Sequence, residues 1–327
     1  MIKTKKLMNM KKVVAGVDIG GTNTVFGLVD KTGKVLAEGR LKTTDYPKIN
    51  DFVQALTTAI KKLLSSKKDF TLIGIGIGAP DANYHRGTIE HAPNLAWKGI
   101  VPLAALIKSK IKVPVVVTND ANAAAMGEMI FGGAKGMKDF IVLTLGTGLG
   151  SGIVIDGKMV YGHTGFAGEL GHMTVVKDGR DCGCGRKGCL EAYASATGLV
   201  RTTIELMSEM REESPLREIP PSKLTSKKIA EAAAKKDPIA VKAMNDTAEI
   251  LGFGIINSIV FSSPEAIFLF GGLAQAGELL FAPVRKYLAK NNYVLFKNTV
   301  KILPSGISES NAAMMGSAAL IWNEISD

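Results

Sequence analysis

The sequence predicts a doubly wound α/β protein built from two related halves. Strands alternate with helical segments along the chain, and two glycine-tipped hairpins of matching design stand in separate halves of the sequence. The first hairpin runs from Val13 through Asp18-Ile19-Gly20-Gly21-Thr22-Asn23 into Val25–Asp30. The second runs from Phe140 through Leu145-Gly146-Thr147-Gly148-Leu149-Gly150 into Ile153–Gly157. A third apolar strand, Ala266–Phe270, ends in the pair Gly271-Gly272. Each tip offers backbone N–H groups free of Cβ hindrance, the chemistry that cradles phosphate, although one such turn alone reads equally well as an ordinary hairpin. The recurrence predicts a duplicated domain with a nucleotide lodged between the halves.

Further strands are expected at Thr71–Gly78 and Val113–Val117. The first alternates glycine with isoleucine, so one of its faces lies against something very close. Packing against a neighbouring strand or helix explains this; close approach of a ligand to Gly78 is the second reading. Helices are expected from Phe52 to Ser65, Asn122 to Phe131, Glu191 to about Met210, Ser226 to Lys236, Pro238 to Phe261 and Glu309 to Ile325. The charged, proline-bearing stretch from Glu212 to Thr225 reads as a mobile loop.

Composition sets the bounds. At 327 residues, 46% hydrophobic and 21% charged, the chain can bury a large core and is expected to form two domains. The 36 glycines and low aromatic content favour α/β over an all-β sandwich. A net charge of +10 comes from lysines spread along the chain, with a basic run only in MIKTKKLMNMKK. The apolar stretch after that run is too short for a secretory signal, and nothing approaches a membrane span. The charge suits anionic substrates such as nucleotides. No aromatics interleave with basic residues, so no nucleic-acid partner is expected.

All three cysteines fall in one short window beside a histidine: Glu169-Leu170-Gly171-His172, then Cys182-Gly183-Cys184-Gly185-Arg186-Lys187-Gly188-Cys189-Leu190-Glu191. Three thiols cannot pair without one left over, and Cys182 and Cys184 are too close in sequence for an unstrained disulfide. Three thiolates and an imidazole are the donor set of a tetrahedral Zn²⁺ with no open position, hence a structural one. His163 is the rival fourth ligand. Reduced, metal-held thiols fit the cytoplasm.

Asn119 and Asp120 stand at the carboxyl end of the strand Val115–Val117, where α/β proteins bind ligands. Either residue also reads as the N-cap of the Ala-rich helix that follows. A helix N-terminus favours the carboxylate, so a depressed pKa is expected for Asp120. Phosphoryl transfer asks little of a base, and an ionised aspartate that orients a hydroxyl and accepts its proton suffices. Sugars present hydroxyls that donate and accept, and Asn94, Asn119, Asp120, Glu169, His172 and Glu191 form a matching set of partners. His172 can serve twice, with one ring nitrogen on zinc and the other on a hydroxyl.

Together these motifs resemble the ROK family of sugar kinases and repressors, almost end to end, and most closely its bacterial glucokinases. Asp18-Ile19-Gly20-Gly21-Thr22 is similar to the family's first phosphate loop, and Leu145-Gly146-Thr147-Gly148-Leu149-Gly150 to its second. Asn119-Asp120-Ala121 resembles the catalytic motif, the Glu169–His172 and Cys182–Glu191 segments the sugar-and-zinc element, and Gly271-Gly272 the adenosine motif. The resemblance implies an actin-like ATPase (ribonuclease H-like) fold of two lobes with an interlobe cleft. The N-terminal lobe would comprise residues 1–120 with the C-terminal helix 305–327 returning to it, and the C-terminal lobe 121–304. It further implies ATP bound through Asp18, Gly20, Gly21, Thr22, Asn23, Thr147, Gly148, Gly271 and Gly272, with Mg²⁺ near Asp18. Asp120 would take the proton of a hexose 6-hydroxyl, beside sugar contacts from Gly78, Asn94, Asn119, Glu169, His172 and Glu191. Zinc would sit on His172, Cys182, Cys184 and Cys189. A homodimer is also implied.

Family repressors carry a helix-turn-helix module ahead of the first phosphate loop, whereas about a dozen residues precede Val13. The expectation is therefore an ATP:hexose 6-phosphotransferase, foremost a glucokinase. Fructokinase, N-acetylmannosamine kinase and allose kinase are the alternatives of the same chemistry. Polyphosphate is the alternative donor, and a sugar-sensing regulator the non-enzyme reading.

Overall fold

A computed structural model of the chain describes residues 10–66, 69–307 and 312–326. Most of the basic N-terminal run and the expected helix start at Glu309 lie outside the described residues. The chain forms two compact units, described in turn. Within the described residues, the first comprises everything up to Gly136, the segment Tyr161–Ala167 and the stretch from Gly306 onward; the second comprises Met137–Val160 and Gly168–Ser305.

In the first unit, β1 (Lys11–Ile19) and β2 (Asn23–Val29) form the expected antiparallel hairpin, with Val14 opposite Val29 and Asp18 opposite Val25. Strand β3 (Val35–Lys42) continues the meander on β2. Helix α1 (Ile49–Ser65) then carries the chain to β4 (Phe70–Gly78), parallel to β1. Its buried positions Phe52, Val53, Leu56 and Ile60 recur at helical spacing and form its core face. Next come a small sheet of β5 (Ala82–Asn83), β6 (Thr88–Glu90) and β7 (Ile100–Val101), and helix α2 (Leu103–Lys110). Strand β8 (Val115–Thr118) lies parallel to β4 and feeds helix α3 (Asp120–Ile130).

The second unit repeats this plan. Its hairpin is β9 (Phe140–Leu145) and β10 (Leu149–Ile155), extended by β11 (Lys158–Met159). Helices α4 (Glu191–Ala194), α5 (Ala196–Glu209), α6 (Ser226–Ala234) and α7 (Pro238–Ser262) precede β12 (Ala266–Phe270), which lies parallel to β9. Helix α8 (Glu278–Asn291) leads to β13 (Lys301–Pro304), parallel to β12. Helix α9 (Ala312–Ser326) ends the chain and belongs to the first unit. The two sheets read β3-β2-β1-β4-β8 and β11-β10-β9-β12-β13, each with two antiparallel pairings followed by two parallel ones. This shared order is the duplication that the hairpins announce, and it makes the turn after β12, with Gly271-Gly272, the counterpart of the turn after β4.

The glycines of β4 have a packing explanation. A Cβ at Gly76 would collide with the Ser317 carbonyl of α9, and one at Gly78 would lie 3.0 Å from Ser317 Oγ and 3.2 Å from the Ala123 Cβ. Bare backbone on this face lets the C-terminal helix lie directly on the sheet.

Three expectations need correction. The first unit extends through Gly136 and not only to residue 120, because α3 packs against α9 and stays with the unit that holds it. The helix expected from Glu191 to Met210 is two helices, broken at Ser195, whose backbone is extended and whose side chain accepts the Gly198 N–H as the N-cap of α5. The stretch from Glu212 to Thr225 contains two 3₁₀ turns, and Leu216 and Leu224 are 2% and 6% exposed within the second unit's core. Its charge and prolines describe an irregular path, but two leucines pin it down.

Candidate active site

The first unit gathers one group of predicted residues at the carboxyl ends of its parallel strands. Asp18 of β1 is in register with Gly78 of β4, which is in register with Thr118 of β8. Asn119 and Asp120 follow directly. Asn119 is the N-cap of α3, its Oδ1 accepting the Asn122 N–H at 2.7 Å. Capping thus falls to Asn119, and Asp120 is the first helical residue, its Oδ1 accepting the Ala121 N–H at 2.8 Å. The tip of the first hairpin closes with Gly20 N–H donating to the Asn23 carbonyl at 2.9 Å, and Thr22 anchors it by accepting from Thr43 N–H at 2.8 Å. Asn94 belongs here too, since a Cβ on Gly21 would lie 2.7 Å from the Asn94 carbonyl oxygen.

The electrostatics of this group reverse one expectation. Burial, and then the nearby Asp120 charge, raise the Asp18 pKa to about 6. Asp120 is also raised, although the helix N-terminus predicted a depressed value. Burial is the larger cause and the charge of Asp81 adds to it, outweighing the backbone N–H groups of Ala121 and of Asp120 itself. The Asp120 residue as a whole is exposed, while protein crowds its carboxyl group. A carboxylate of raised pKa is a better proton acceptor than the helix terminus alone would leave it.

The second unit gathers the rest. The turn Leu170–His172 is held on β10: Leu170 N–H donates to Ser151 Oγ at 3.1 Å, and Gly171 packs on the Leu149 carbonyl. The cysteine segment folds back through bridges pairing Thr174 with Cys189 and Asp181 with Lys187. His172, Cys182, Cys184 and Cys189 then present ligand atoms that all lie within 4.8 Å of one another. Cys184 Sγ is 3.7 Å from Cys189 Sγ, and Cys182 Sγ is 3.7 Å from His172 Nδ1. Tetrahedral Zn–S bonds of about 2.3 Å would place sulfurs roughly 3.8 Å apart, so these two pairs stand at the spacing of zinc ligands and the set of three thiols and an imidazole suits the metal. Because Nδ1 faces the sulfurs, Nε2 is the ring nitrogen left for another partner. His163 lies in the first unit's segment Tyr161–Ala167 and is not in the cluster.

Glu191 opens α4 directly after this element. Its Oε2 accepts the Leu149 N–H at 2.8 Å, and Cys182 Sγ lies 3.5 Å from its Oε1. The second hairpin's tip, with Thr147 and Gly148, is closed by Gly146 N–H donating to the Gly148 carbonyl at 3.0 Å. Gly271 takes the left-handed backbone that favours glycine (φ +100°), and its turn is fixed to Leu145, whose carbonyl accepts Leu273 N–H at 3.1 Å. Gly272 lines a cavity of about 280 Å³ with Ser226, Glu231, Leu273, Gln275 and Leu279. A larger cavity of about 430 Å³, lined by Arg285, Asn292 and Lys301, contains none of the predicted residues.

Two residues escaped the sequence reading. Asp81, three residues past the end of β4, bears electrostatically on Asp120; its place at a parallel strand's carboxyl end was the signal that could have found it. Glu128, on α3, is 1% exposed and accepts N–H groups of Gly133 at 2.7 Å and Gly306 at 3.0 Å. A glutamate in an Ala-rich helix gives no local sign of such partners.

The profile of the ROK family matches residues 14–324. A glucokinase of Streptomyces coelicolor is 38% identical over 276 residues, 83% of this chain and 85% of that protein. The crystal structure of a ROK family glucokinase from Streptomyces griseus, in complex with glucose and AMPPNP, superposes with a TM-score of 0.77 at 34% identity, covering 94% of this chain and 98% of that one. A xylose repressor of Caldicellulosiruptor bescii is 32% identical over 82% of this chain but 66% of its own length. The strand order, the paired hairpins and the sequence match agree: this chain is a member of the ROK family, with the actin-like ATPase fold of its sugar kinases.

Proposed function

We propose that the protein is an ATP-dependent hexose kinase that phosphorylates glucose at its 6-hydroxyl. One observation carries the reading: Asp120 is a carboxylate of raised pKa just after a parallel strand, in a chain 38% identical to a glucokinase. Asp120 orients the 6-hydroxyl and accepts its proton as the oxygen bonds to the γ-phosphorus of ATP and ADP departs. The amide of Asn119, whose oxygen is used in capping, keeps its N–H₂ to donate to a sugar oxygen. Asn94, the backbone at Gly78, Glu169, His172 Nε2 and Glu191 serve the other sugar hydroxyls.

The hairpin tips at Gly20–Asn23 and Thr147-Gly148 bind phosphates through their N–H groups. The cavity at Gly272 takes the adenosine, and its apolar wall favours ATP over polyphosphate. Mg²⁺ held at Asp18 supplies charge neutralisation for the phosphates; burial raises the carboxylate's pKa without it, and a cation there restores the ionised form. Zinc on His172, Cys182, Cys184 and Cys189 fixes the loop and the His172 tautomer. The exposed apolar side chains Phe253, Val260 and Phe261 on α7 offer a face for a second copy in a homodimer. No helix among the described residues is long and apolar enough to cross a membrane, in keeping with a cytoplasmic enzyme.

Initial rates of ADP release against a panel of hexoses and N-acetylhexosamines test the assignment. Glucose should give the highest kcat/KM. Preference for fructose, N-acetylmannosamine or allose would keep the chemistry and move the substrate. Sugar binding without turnover would support the sensor reading, which the repressor relatives keep in view.

A further inference from the structure

The carboxylate of Glu191 faces two ways. Its Oε2 accepts the Leu149 N–H at 2.8 Å, at the root of the second phosphate hairpin. Its Oε1 lies beside Cys182 Sγ at 3.5 Å, at the edge of the His/Cys cluster. A thiolate on zinc has no proton to give, so Oε1 is left to accept from a sugar hydroxyl. The hairpin tip is shaped around this contact: a Cβ on Gly148 would strike the Glu191 carboxylate, whereas one on Gly146 would meet nothing within 4 Å. Of the two tip glycines, Gly146 therefore keeps its open side for a phosphate, and Gly148 is small so that Glu191 can approach. Ala196 N–H, donating to the Gly146 carbonyl at 2.9 Å, ties the tip to the same helical corner that carries Glu191.

We infer that Glu191 couples the two substrates, one carboxylate oxygen accepting a hexose hydroxyl while the other holds the second hairpin in its phosphate-binding shape. Sugar binding fixes the Glu191 side chain, and a fixed Glu191 leaves the hairpin less conformational freedom to lose when a nucleotide arrives. The inference rests on the reading of Glu191 as a sugar ligand.

Calorimetric titration of Mg²⁺·AMPPNP into the zinc-loaded protein, with and without saturating glucose, tests it without turnover. The wild type should bind AMPPNP about fivefold or more tightly with glucose present, and AMPPNP should tighten glucose by the same factor. In Gly148→Ala, a methyl group displaces the Glu191 carboxylate from the hairpin; each ligand alone should bind more weakly, and the mutual tightening should vanish. Glu191→Ala should lose the tightening as well, with weaker glucose binding. Zinc content and circular dichroism establish that each variant is folded. Glucose binding that leaves wild-type AMPPNP affinity unchanged overturns this inference alone, as does full tightening in folded Gly148→Ala. Failure of glucose to bind at all overturns the sugar reading and this inference with it.

Discussion

The Glu128 carboxylate accepts the Gly306 N–H at 3.0 Å, across 178 residues of sequence. It also takes the Gly133 N–H at 2.7 Å. These two glycines stand close to the points where the chain leaves and re-enters the first unit, after Gly136 and at Gly306. One buried charge on the helix that begins with Asp120 thus satisfies backbone donors of both connecting segments. Glu128→Leu removes that acceptor and leaves two N–H groups without it, each worth about 1–3 kcal/mol when buried. Urea unfolding should show a loss of about 2–5 kcal/mol, and a loss below 1 kcal/mol would mean that water replaces the carboxylate.

Replacing the proposed base separates binding from chemistry. Asp120→Asn keeps the side-chain oxygen but cannot take a proton. General-base contributions of about 10²–10⁴ set the expected fall in kcat, with KM for glucose changed only a few-fold. Steady-state rates with ATP and glucose check this; near-normal kcat removes Asp120 from the role.

Metal and sugar should be lost together. Cys184→Ala deletes one of the four converging ligands and should abolish tight zinc binding. His172 and the loop after Glu169 then lose their fixed geometry, and KM for glucose should rise about 10-fold or more. Elemental analysis beside glucose titration decides it. A variant with wild-type affinity and no zinc would detach the metal from the sugar.

Asp18 gives a pH signature in stability. Its folded pKa of about 6 stands above the ordinary aspartate value of 3.8. The fold therefore favours the protonated form, and stability falls as pH rises from about 4 through 6, remaining lower above that. Asp18→Asn removes the ionisation. Without added Mg²⁺, its melting temperature should exceed the wild type's by about 2 °C or more at pH 8 and match it near pH 4. A gain that is the same at both pH values would show that charge is not the cause.

The parts legible in the sequence were those encoded locally. Glycine tips between apolar runs set the two hairpins, and a cysteine window with one histidine assembled the His/Cys cluster. Residues joined by tertiary structure stayed hidden. Glu128 meets Gly306 only after the last helix returns, and Asp81 meets Asp120 only because β4 and β8 are neighbours. The raised Asp120 pKa is hidden for the same reason: the helix terminus is written in the sequence, while the crowding that outweighs it is not. At Ser195 the break is locally encoded, since a serine N-cap competes with continuation of the helix.

Identification of the product made from ATP and glucose tests the central claim most directly. Nuclear magnetic resonance of the reaction mixture should show phosphate on the sugar's C6 oxygen, formed mole for mole with ADP and greatly slowed by Asp120→Asn. ADP formed without any phosphorylated hexose, or product formed equally fast by that variant, would contradict the account.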